Sequence, residues 1–119
     1  MIIHIDDGRK LNDIKIEFSE KYSFLKIEFF KKAHAEGDGS PKSELIEDDV
    51  TVGEISSVHN DGDIVIIGEM KVAELEEQFE SFYGIHIQIF RKSGKIWLET
   101  SVTDQWSLNE QNSTGKEMS

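Results

Sequence analysis

The sequence predicts an α+β fold, two βαβ halves followed by a C-terminal strand, arranged as a ferredoxin-like sandwich with two helices on one face of a sheet. Three observations carry this. Leu11, Ile14, Phe18 and Tyr22 recur 61 positions later as Val72, Leu75, Phe79 and Tyr83, and the run from Leu25 to Lys32 recurs 60 positions later as Ile85 to Lys92. Each copy follows an apolar run, Ile2 to Ile5 in the first and Ile64 to Ile67 in the second. Finally, 119 residues with 37% apolar side chains supply one core and not two. A β-grasp arrangement is the alternative, since it too lays a helix across a mixed sheet, but it leaves the duplication unexplained. Residues 1–108 read as one α+β domain with a long acidic connection over 33–62, and 109–119 as a polar tail that frays after a short helix.

Each element has a local reason. Ile2 to Ile5 is a short strand. Leu11, Ile14, Phe18 and Tyr22 fall on one face of a 3.6-residue helix, and Val72, Leu75, Phe79 and Tyr83 repeat that stripe. Glu74, Glu76, Glu77 and Glu80 lie off the second stripe and read as a solvated face. In the strands that follow, Leu25, Ile27 and Phe29 alternate with Lys26, Glu28 and Phe30, as Ile85, Ile87 and Ile89 alternate with His86, Gln88 and Phe90. Ser93-Gly94 then turns the chain into a strand carrying Ile96, Leu98 and Val102 on one side, which makes a hairpin. Within the connection, Thr51 and Glu54 have capping-box spacing and open a short helix that the polar stretch from Ser56 to Gly62 stops. Ser107 and Glu110 have the same spacing and cap a final helical turn.

The formal charge is −11, from 13 basic and 24 acidic side chains. That disfavours nonspecific binding to nucleic acid or to anionic membrane, both of which need a basic surface. The acidity is concentrated: 35–70 holds ten acidic residues against Lys42 alone, whereas 1–34 holds seven basic against six acidic. Lys31, Lys32 and His34 end one repeated strand and Arg91, Lys92 and Lys95 surround the end of its twin, so these clusters are placed to hold the acidic connection by charge. The chain has no cysteine, which removes disulfides, thiolate nucleophiles and cysteine zinc sites. No window approaches the roughly 20 apolar residues of a spanning helix, and the first residues lack a signal peptide's basic leader and apolar core. The expectation is a cytoplasmic protein with no membrane contact.

No catalytic motif stands out. The acidic turns around Glu36, Glu47 and Asp61 do not fit the EF-hand pattern, and His4, His34, His59 and His86 lack the spacing that sets two ligands on one helix face. His4 reads as a packed or edge residue. Gly37 to Lys42 looks superficially like a phosphate loop but lacks its second glycine and its G-K-[ST] ending. No catalytic residue, cofactor or metal ligand is assigned.

The outward face of the sheet is the candidate site. Phe30, Phe90 and Trp97 lie opposite the apolar stripes of their strands, among Lys26, Glu28, His86, Gln88 and Glu99. Helices cover only one face of such a sheet, so these aromatics are either exposed for contact or covered by another segment of the chain. The leading reading is a non-enzymatic module that binds a protein partner or a second copy through this face or an exposed strand edge. One alternative is single-stranded nucleic acid stacked on the sheet aromatics beside Lys26, Arg91 and Lys95, which the net charge opposes. Another is a small enzyme or ligand-binding domain using His86, Glu28 or Glu99 as acid and base.

The strings Val72 to Gly84, Ile89 to Thr100 and Thr103 to Asn112 resemble a family of small acidic bacterial proteins of uncharacterised function, with the Phe90 to Trp106 region the most specific part. The resemblance implies a single α+β domain and brings no activity, cofactor or catalytic residue.

Overall fold

A computed structural model describes residues 1–32 and 37–119. The order of elements is β1 (Ile2–Ile5), α1 (Leu11–Lys21), β2 (Leu25–Phe30), α2 (Val52–Ile55), β3 (Gly62–Val65), α3 (Val72–Tyr83), β4 (His86–Ser93), β5 (Ile96–Glu99) and α4 (Leu108–Glu117). The fold is therefore mixed α+β, and its strands are antiparallel throughout.

The hydrogen bonding divides the strands between two sheets, β1–β3 and β2–β4–β5. A ferredoxin-like sandwich interleaves the strands of both halves in one sheet; here each strand of the first half pairs directly with its counterpart in the second. Period-two alternation explains why the sequence left this open. It fixes which face of a strand is buried, while saying nothing about which strand lies alongside.

Both registers centre on equivalent positions of the two halves. Ile3 lies opposite Ile64, 61 residues on, and Glu28 lies opposite Gln88, 60 residues on. Ile3, Ile5 and Ile64 of the small sheet with Ile66 just beyond it, Leu25, Ile27, Phe29, Ile87 and Ile89 of the larger one, and the stripes of α1 and α3 form one contiguous buried cluster. The Phe29 and Phe79 rings meet edge-on within it, centroids 6.4 Å apart at 79°. Glu76 departs from the solvated face expected of α3: it is buried, and its carboxylate accepts the Ile89 N–H at 3.3 Å.

Two segments are more ordered than the sequence suggests. The Thr51–Glu54 capping box does open α2, but the connection around it also docks on the sheet. Ile46 N–H donates to the Phe29 carbonyl at 2.8 Å and Lys31 N–H to the Glu44 carbonyl at 2.9 Å, so residues 44–46 line the outer edge of β2. Main-chain bonds do most of this docking. The expected charge pairing contributes an exposed Lys32–Glu44 contact at 3.9 Å, which is worth little; His34 lies outside the described residues.

The segment 109–119 does not fray after one turn but forms most of the ten-residue α4, opened by a Ser107–Glu110 capping box. Its buried positions are Leu108, Gln111 and Gly115, only one of which is apolar. Gln111 accepts from Arg91 at 2.8 Å and donates to the Thr103 carbonyl and hydroxyl, both at 2.8 Å. Gly115 lets the helix close on Phe24, whose Cβ and carbonyl a side chain at 115 would meet at 2.8 and 3.1 Å.

Candidate functional site: the open end of the larger sheet

The strand faces are assigned as the alternation requires. Phe30, His86, Gln88, Phe90, Trp97, Lys26, Glu28 and Glu99 all lie on the side of the β2–β4–β5 sheet opposite the core, set by the pairs Lys26↔Phe90, Glu28↔Gln88, Phe30↔His86, Phe90↔Glu99 and Lys92↔Trp97. They are not equally open, because the docked connection crosses this face.

At one end the connection seals the sheet. Phe30 is only 4% exposed and Gln88 fully buried. Leu45 bridges to Phe30, and the Ser40 hydroxyl donates to Gln88 Oε1 at 3.4 Å. Phe30 is thus buried beneath the connection, on the face away from the main core, and the expectation of an exposed aromatic there is corrected. Gly37 N–H donates to Asp104 Oδ2 at 2.8 Å, tying the connection to the turn after β5. Gly39 lies against the Glu99 carboxylate, which would have to swing aside for a Cβ at 39.

At the other end the face opens into a pocket of about 580 Å³ between the sheet and the connection, with Phe90, Trp97, Lys26, Glu28 and Glu99 on the sheet side and Lys42, Leu45 and Glu47 across from them. Lys26 Nζ stands 5.4 Å from the centroid of Phe90 and 5.0 Å from that of Trp97, a cation held over two rings. Glu28 receives Lys26 at 3.5 Å and Lys15 of α1 at 3.2 Å. The cation that would attract a nucleic-acid phosphate is therefore already paired, and Glu28, Glu47 and Glu99 share its pocket.

His86 does not join Glu28 and Glu99. It faces a separate acidic hollow of about 470 Å³ with Lys71, Glu74, Glu77, Glu80 and Asp104. The acid–base trio suggested by the sequence is thus split between two sites. Among the described residues, no group of three or more His, Asp or Glu side chains is arranged to hold a metal ion. Among the described residues, no helix is long and apolar enough to cross a membrane.

Lys15, Ser40, Lys42, Leu45 and Glu47 also line the pocket and were not singled out from the sequence. One signal was present for the connection: Leu45-Ile46 is an apolar pair inside an otherwise polar stretch.

The smaller sheet carries a distinct polar cluster. His4 is an exposed residue of the β1 ribbon, with Nδ1 2.9 Å from Asp63 Oδ1 and Nε2 2.9 Å from Asp6 Oδ2. The Asp63 hydrogen bond, more than that from Asp6, raises the imidazole above its ordinary value. A raised folded-state value means that the protonated ring favours the fold at pH below the unfolded value, and that this contribution fades as pH rises through the folded one. In an NMR titration His4 is expected to lose its proton at higher pH than a free histidine, and Asp63→Asn to bring the midpoint down. An unshifted His4 would contradict this geometry.

No protein-family model matches the chain, and no curated protein or solved structure is significantly similar to it.

Proposed function

We propose that the protein is a non-enzymatic association module whose contact surface is the open end of the larger sheet, built from Phe90, Trp97 and Lys26 and continuing onto the free edge of β5. The carrying observation is the unequal covering of this face: the connection seals Phe30 and Gln88 and leaves Trp97 36% exposed on an edge strand, every residue of which is exposed. An aromatic wall with a stacked cation, next to unpaired strand edge, suits protein contact, where aromatic anchors and main-chain pairing supply affinity and register. The matched registers of the two halves support their origin from one duplicated strand–helix–strand unit. The cysteine-free composition suits a reducing compartment and supports a cytoplasmic location.

A photoreactive side chain tests the surface directly. Placed at Trp97 it is expected to capture a protein, this one or another, in native lysate, whereas the same group at Ile16, exposed on α1, captures none above background. Equal capture at the two positions, or none at Trp97, would overturn the assignment.

A further inference from the structure

The larger sheet has two edges and treats them differently. Residues 44–46 hydrogen-bond along β2, while β5 is the terminal strand on the other side. β5 is apolar on both faces, with Ile96 59% and Leu98 38% exposed on one and Trp97 on the other. Exposed edges are usually blunted by shortness, charge or covering; β5 is short, but three of its four residues are apolar.

The main-chain direction along β5 follows from its pairing with β4. Thr100 N–H donates to the Ile89 carbonyl at 3.2 Å, and the register Phe90↔Glu99, Arg91↔Leu98, Lys92↔Trp97 runs on without a bulge. Hydrogen-bonding direction alternates along an antiparallel strand. Leu98 and Ile96 therefore turn their main-chain groups toward β4, and Trp97 and Glu99 turn theirs to the free edge.

That restricts what can add there. In antiparallel pairing, outward-directed residues must oppose outward-directed residues, so a second β5 can approach only in registers two residues apart. Each of these is two-fold symmetric, and they differ in the charges they set opposite one another. With Trp97 opposite Trp97 of the second copy, Ile96 opposes Leu98, and Lys95, in the turn just before the strand, comes level with Glu99, each twice by symmetry. A slip of two residues either way sets Trp97 against Lys95 or Glu99 and takes those two charges out of opposition. Opposite charges, apolar pairs and aromatic pairs directly across strands each stabilise such an addition.

We infer that β5 associates with β5 of a second copy of this chain about a two-fold axis at Trp97, joining two three-stranded sheets into one of six strands. This rests on the reading of the open sheet end as an association surface and names its partner. The contact is isologous and closes on itself, so it stops at a dimer. It covers Ile96 and Leu98 and satisfies the outward N–H and C=O of Trp97.

The absence of cysteine makes the register directly testable. Directly opposed residues of an antiparallel pair have Cα atoms about 5 Å apart, within disulfide reach. Ile96→Cys and Leu98→Cys chains, which keep Trp97, are therefore expected when mixed to form a disulfide-linked dimer with one another at micromolar concentration under mild oxidation, at least tenfold faster than Ile96→Cys with Val102→Cys, which is more exposed but lies beyond the strand. Equal rates would overturn the register. In sedimentation experiments on the cysteine-free chain, Lys95→Glu and Glu99→Lys are each expected to weaken dimerisation at least tenfold, and the double variant to restore it. These exposed substitutions leave the core untouched, so circular dichroism is expected to match the wild type. A wild-type monomer at all accessible concentrations, or a double variant weaker than both single ones, would sink the inference. If that monomer nonetheless yields a different protein on photocapture at Trp97, the association surface stands and only the second copy is excluded as its partner.

Discussion

Phe30→Ser is expected to destabilise the protein by about 3–5 kcal/mol, the range for emptying a buried phenylalanine site, while Trp97→Ser costs at most about 1 kcal/mol. Phe30 is sealed beneath the connection, bridged by Leu45. Its removal leaves a cavity and places a hydroxyl among apolar groups, both destabilising. Trp97, on the same face, loses chiefly its contact with the Lys26 ammonium. Urea unfolding of the two variants separates these cases. A Phe30→Ser protein as stable as wild type would mean that the connection does not pack on the sheet as described.

Phe79→Ala is expected to cost a similar 3–5 kcal/mol. Phe79 is fully buried in α3 and meets Phe29 of β2 edge-on, a geometry that adds about 0.5–1.5 kcal/mol beyond area alone. The ring joins the helix of the second half to a strand of the first, so its loss loosens the packing between halves. With native stabilities of roughly 5–15 kcal/mol, either loss is a large share of the whole. Phe79→Leu retains most of the volume and is expected to recover most of the stability. A midpoint for Phe79→Ala within about 1 kcal/mol of wild type would contradict the core assignment.

How much of this was legible in the sequence varies with the kind of signal. The α1 and α3 stripes were readable because Leu11, Ile14, Phe18 and Tyr22 and their counterparts are large, apolar and correctly spaced; all eight are buried. The inner and outer faces of β2 and β4 were readable from alternation. Strand neighbours were not, because side-chain period carries no information about pairing partners, and hence the division into two sheets was not foreseen. Helix α4 was underread because Gln111 and Gly115 hold it by hydrogen bonding and close approach, which a search for apolar periodicity does not see.

The candidate site divides in the same way. Phe30, Phe90, Trp97, Lys26, Glu28 and Glu99 were placed on one face by alternation alone, yet exposure depends on the connection, where acidic composition masked the anchoring Leu45-Ile46 pair. The covering explains why Phe30 and Gln88 drop out of the surface and why Trp97 remains. His86 shares the face but sits at the strand's opposite end from Trp97, in another hollow.

The central claim is that the open end of the sheet serves association and not folding. Sedimentation velocity of Trp97→Ser beside wild type, with unfolding measured on the same samples, tests it most directly. The account predicts an associating wild type and a variant that keeps its fold while its association weakens at least tenfold. A variant that unfolds, or one that stays folded and associates as the wild type does, would contradict it.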